Sequence, residues 1–70
     1  MKIEVNRWYR VLIDGQEHIV RIDGRIMKYC VVDFYVARLW CAGSLGQCKK
    51  FIAEHIQEGI YDKEGGYHGN

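Results

Sequence analysis

Six side chains in this sequence could ligate a metal: His18, Cys30, Cys41, Cys48, His55 and His68. None forms a Cys-x-x-Cys or His-x-x-x-His pair, the spacings that place two ligands on one centre. Cys48 and His55 lie seven positions apart on one helix face, too far to share an ion without a third element. The expected roles are a structural thiol and a partly buried core histidine, with no metal and no cofactor. Nucleophilic catalysis has little support either. No serine sits in a nucleophile-elbow context, and Cys30 and His18 are expected on opposite faces of a sheet. Gly43-Ser44-Leu45-Gly46 lacks the Gly-Lys-Ser/Thr of a phosphate-binding loop, and Ser44 reads more simply as a helix N-cap. A chain this short has little room for a water-excluding pocket. The expectation is a protein without enzymatic activity.

The elements that hold these residues are marked by two turns. Asp14-Gly15 and Asp23-Gly24 each stand between runs rich in Val, Ile and aromatics. Asp-Gly in that setting signals a type I′ hairpin turn, which needs φ > 0 at both central residues. Three strands are expected, over 7–13, 16–22 and 25–32, joined as a meander. Residues 34–41 can be read as a strand, from Phe34, Tyr35, Val36 and Trp40, or as a short helix capped by Asp33; the strand is preferred. Residues 44–58 read as a helix. Ser44 and Gln47 form a capping-box pattern, and Leu45, Cys48, Ile52 and Ile56 recur at helical spacing. Gly59 and Ile60 suit a Schellman ending. The fold class is therefore α+β: a three- to four-stranded antiparallel meander with one C-terminal helix packed on one face. Residues 1–60 form a single compact domain, and 61–70 read as a flexible polar tail.

Composition limits the function classes. Hydrophobic residues make up 49% of the 70, enough for a core and too many for wholesale disorder. No apolar run approaches the ~20 residues of a membrane span. Met1-Lys2-Ile3-Glu4 shows no apolar signal region, and three cysteines make a poor disulfide framework, so the expected compartment is the cytoplasm. A net charge of +1 is modest for a protein built to grip a polyanion.

Two-residue turns fix which face each side chain takes. With turns at both Asp-Gly pairs, Ile22 pairs with Arg25, Val20 with Met27 and His18 with Tyr29. One face then collects Tyr9, Val11, Ile13, His18, Val20, Ile22, Met27, Tyr29 and Val31, and the helix must cover it. The opposite face collects Trp8, Arg10, Leu12, Glu17, Ile19, Arg21, Ile26, Lys28 and Cys30. Nothing else in the chain covers that face fully. Exposed apolar area among cations marks an interaction surface, and Trp and Arg are enriched at binding hot spots. The candidate partner-binding residues are Trp8, Arg10, Leu12, Ile19, Arg21, Ile26 and Lys28.

With its Asp-Gly turns and the helix opening Ser44-Leu45-Gly46-Gln47-Cys48-Lys49-Lys50-Phe51-Ile52, the chain resembles in plan the small accessory proteins of phages and mobile elements. That resemblance implies a non-catalytic module that inhibits or modulates a host protein or protein complex, an anti-CRISPR or other anti-defence role included. The alternative is DNA binding. A three-stranded sheet backed by a helix looks like AP2-type and phage-integrase arm-binding domains, which read the major groove with the open sheet face. Arg10, Arg21 and Lys28 would be the readers, although Glu17 and the apolar Leu12, Ile19 and Ile26 dilute that face. A homodimer through the same face is a third reading.

Overall fold

Asp14 and Gly15 both take positive φ, 51° and 79°, the conformation a type I′ turn requires. They join β1 (Tyr9–Ile13) to β2 (Gln16–Arg25) with Tyr9 opposite Val20, Val11 opposite His18 and Ile13 opposite Gln16. The computed structural model describes residues 2–60. The polar tail read over 61–70 lies outside the described residues. After β2 come β3 (Lys28–Asp33), β4 (Leu39–Gly43), the helix α1 (Leu45–His55) and a short β5 (Ile56–Ile60). The sheet order is β4-β3-β2-β1-β5, antiparallel throughout. The fold is an α+β meander, with the helix packed against one face of the sheet.

The second turn is not where the Asp-Gly signal puts it. Asp23 and Gly24 continue β2, and the chain reverses at Ile26-Met27, with Arg25 opposite Lys28. Ile22 therefore faces Val31 instead of Arg25, and Gly24 faces Tyr29. Cross-strand packing outweighs the local turn preference here. The expected register would set Val31 against Gln16, whereas the observed one pairs it with Ile22 and with Cys41 of β4. The Tyr29 ring lies over Gly24, its nearest atom 3.7 Å from where a Cβ would stand, an ordinary van der Waals contact. The displacement of β3 along β2 is even, so its side chains keep their faces. Only the turn residues change role. Ile26 and Met27 leave both faces and stand in solvent, 91% and 98% exposed.

Two further boundaries differ from expectation. The strand expected over 34–41 begins only at Leu39, because the Asp33 carboxylate draws the next backbone N–H groups into a turn. The helix expected to run through Glu58 stops at His55. Ile56 turns extended (φ −66°, ψ 144°), and the chain pairs with the outer edge of β1, Val11 opposite Ile56 and Tyr9 opposite Ile60. A sheet edge with unpaired backbone groups outcompetes a last helical turn and its glycine cap. The start of the helix follows expectation. The Gln47 N–H donates to Ser44 Oγ at 3.1 Å, and the Ser44 N–H donates to Gln47 Oε1 at 2.8 Å.

The core lies between sheet and helix. Tyr9, Val11, Ile13, Val20, Ile22 and Val31 from the sheet meet Cys48 and Ile52 from α1, and Ile3 of the lead-in joins them. Each fully buried Val or Ile contributes roughly 1.5–3 kcal/mol of transfer free energy. The Tyr9 hydroxyl accepts the Glu4 N–H at 2.8 Å, which ties the lead-in to the sheet. Among the described residues no helix is long and apolar enough to cross a membrane.

Candidate functional site

Side chains that alternate away from the helix build the second face. Arg10 stands opposite Ile19, Leu12 opposite Glu17, Arg21 opposite Val32 and Asp23 opposite Cys30. The β2–β3 ladder runs one step past Asp33, where the Phe34 N–H donates to the Ile19 carbonyl at 2.8 Å. Phe34 thereby lies beside Ile19 and reaches Trp8. The two rings meet edge to face, 5.0 Å between centroids at 89°, and Tyr35 meets Phe34 in the same way at 5.1 Å. The Arg21 guanidinium lies 4.8 Å over the Trp8 ring, an arrangement that fixes a cation on an aromatic face. This gives a platform of three rings with Phe34 57% and Tyr35 68% exposed.

Carboxylates are threaded through the cations of this face. Arg10 Nε lies 3.3 Å from Glu17, Arg21 lies 3.9 Å from Asp23, and Arg25 lies 3.6 Å from the same Asp23. Exposed pairs of this kind add little to stability, yet they lower the field the face presents. Lys28 and Arg38 have no carboxylate partner among the described residues.

One carboxylate holds the aromatic loop in place. Asp33 Oδ1 accepts the Tyr35 N–H at 2.8 Å and the Val36 N–H at 3.3 Å. Its Oδ2 accepts Trp40 Nε1–H at 2.8 Å and stands 2.8 Å from His18 Nδ1, which must therefore carry the proton. The Asp33 side chain has no exposed surface. Burial alone would raise its pKa, but the Trp40 and backbone hydrogen bonds, with the nearby His18, outweigh it and hold the carboxyl below its ordinary value. The His18 and Trp40 rings pack at 4.9 Å, and the Arg38 guanidinium stacks on Trp40 at 3.9 Å.

The expected binding residues separate into groups. Trp8, Arg10, Leu12 and Arg21 stand together on the open face. Lys28 stands exposed at the end of the second hairpin. Ile19 lies on the right face but is only 4% exposed, beside the Phe34 strand extension, so it supports the platform from below. Ile26 is not on the face at all, since it occupies the relocated turn. Sequence reasoning missed Phe34, Tyr35, Val36, Arg38 and Leu39. A signal for them existed: Asp followed by aromatics is an Asx-turn pattern, and the alternation through Val32 carries Phe34 onto the open face.

The thiols are structural in position. Cys30 and Cys48 are buried, Cys41 is partly so, and all three are free. Burial, then the neighbouring Cys41 and Cys30, push the Cys48 thiol up to about 11, which leaves it a poor nucleophile at neutral pH. His18 shares its face with Val11, and Cys30 shares the other with Asp23, so they do not meet. Among the described residues no three His, Cys, Asp or Glu side chains gather as metal ligands would. The chain matches no family model, no curated protein and no solved structure.

Proposed function

We propose that this chain is a non-catalytic module that docks a protein partner on its open sheet face. The observation that carries this is the Trp8–Phe34–Tyr35 platform, which leaves two large rings in water on a chain that also exposes Leu12, Val36 and Leu39. Exposed rings in mutual contact are what an interface core is made of, and a tryptophan with an arginine on it is a hot-spot composition. The ion pairs to Glu17 and Asp23 favour a protein over a polyanion, because they offset guanidiniums a phosphate backbone would need. In its narrower form the proposal is a small accessory protein of the phage kind, acting in the cytoplasm by covering a surface of a host protein complex. The small size and the free thiols are in keeping with that form.

The test is affinity capture from host lysate with and without nuclease, comparing the native chain with Trp8→Ala. A nuclease-resistant partner, held about tenfold or more weakly by Trp8→Ala and only mildly sensitive to salt, is expected. Capture that vanishes with nuclease, or falls steeply as salt rises, would replace this reading with sheet-face nucleic-acid binding. Sedimentation of the purified chain, which should report a monomer, separates both from self-association through the face.

A further inference from the structure

An open cleft of about 370 Å³ lies between the 34–38 loop and β3. Arg25 and Arg38 line it together with Val32, Val36, Ala37 and Leu39. Asp33 also borders it but contributes no side-chain surface, since its carboxylate is buried and both oxygens are engaged. We propose that this cleft anchors an acidic peptide segment of the partner, with a carboxylate between Arg25 and Arg38 and an adjoining apolar side chain on Val32, Val36 and Leu39. This rests on the reading of the open face as a protein-docking surface and names the chemistry of one part of it.

The walls of the cleft are fixed before any ligand arrives. Tyr35 and Val36 donate to Asp33, the Arg38 N–H donates to the Val36 carbonyl at 2.8 Å, and the Asp33 N–H donates to the Arg38 carbonyl at 3.3 Å. Arg38 is held by stacking on Trp40, whose Nε1–H is itself bound to Asp33. Its charge is thus oriented without being neutralised by any carboxylate among the described residues. Arg25 meets Asp23 only at 3.6 Å and is about half exposed, so its outer N–H groups remain accessible. One guanidinium held on a ring and a second, exposed one beside apolar walls suit a carboxylate next to an aliphatic group. No aromatic ring lines the cleft, so a nucleic-acid base would have nothing to stack on there.

The experiment is an amide NMR titration of the full chain with three probes. These are a capped hexapeptide of alternating leucine and glutamate, its leucine–glutamine counterpart, and a hexathymidylate. The glutamate peptide should shift the amides of Val32 and of 36–39, and the glutamine peptide should bind about tenfold more weakly, as loss of a charge-assisted contact implies. Arg25→Glu, at an exposed hairpin end, and Arg38→Gln should each abolish those shifts while the remaining spectrum stays folded. Equal binding of both peptides, no shift in the cleft, or stronger shifts there with hexathymidylate would overturn the proposal. Failure of the cleft alone is recognisable, because partner capture would then still depend on Trp8 and be indifferent to Arg25→Glu. Capture indifferent to both would overturn the wider reading as well.

Discussion

Asp33 accepts from Tyr35, Val36, Trp40 and His18 at once, and so joins the aromatic loop to the edge of the core. Because its folded pKa lies below the ordinary 3.8, its contribution is fully present above that value. The contribution is lost as pH falls through the lower folded value. Asp33→Asn should therefore cost about 1–3 kcal/mol at neutral pH and flatten the acid limb of stability. Urea midpoints measured from pH 6 down to pH 2 check this; a parallel acid limb in the variant would show that other carboxyls set it. Cys48 behaves in the opposite sense. Its folded value near 11 exceeds the ordinary 9.0, so stability is intact below pH 9 and declines as pH climbs toward 11. Alkylation of the native chain by iodoacetamide at pH 8, read by peptide mass, should modify Cys41 first and spare Cys30 and Cys48 until denaturant is added.

At the scale of elements, the strained point is the second hairpin. Met27 takes φ 65° with a full side chain, a conformation that costs a non-glycine residue about 1–2 kcal/mol. Met27→Gly removes that strain while loosening the unfolded chain. The expected net gain is roughly 0.5 kcal/mol, seen as a higher denaturant midpoint with an unchanged slope. The same hairpin explains what the sequence could and could not reveal. Asp14-Gly15 and the Ser44–Gln47 box are satisfied by their immediate neighbours, so local pattern alone located them. Asp23-Gly24 carried the same local signal, but its position was decided by where Val31 and Tyr29 found partners in another strand. The end of α1 was likewise decided by β1, distant in sequence.

At the scale of the molecule, the two faces were legible because alternation survives an even shift of register. Tyr9, Val11, Val20 and Ile22 lie inward, and Trp8, Arg10 and Arg21 lie outward. The full extent of the open face was not legible. Phe34 reaches it by extending the β3 alternation one step past Asp33, whereas Tyr35 reaches it only through a loop that Asp33 folds back, a contact no periodicity encodes. The ion pairs on that face have a measurable consequence of their own. Being partly exposed and without close hydrogen-bond geometry, they should be screened with little effect on folding. Thermal midpoints in 50 mM and 500 mM sodium chloride are expected to agree within a few degrees.

The joining of β5 to β1 also bears on how the chain reaches this state and how it fails. Each of the first three strand pairings forms between neighbours in sequence, whereas Tyr9 finds Ile60 only after the whole meander and helix intervene. Closure entropy makes such a pairing slow. Until it forms, β1 exposes a ribbon of unpaired amides and carbonyls beside Val11 and Tyr9. An intermediate of that shape is a template for addition of a strand from another molecule. A chain cut after His55 would keep that template permanently, and its characteristic defect would be oligomerisation that grows with concentration, with little loss of helix signal.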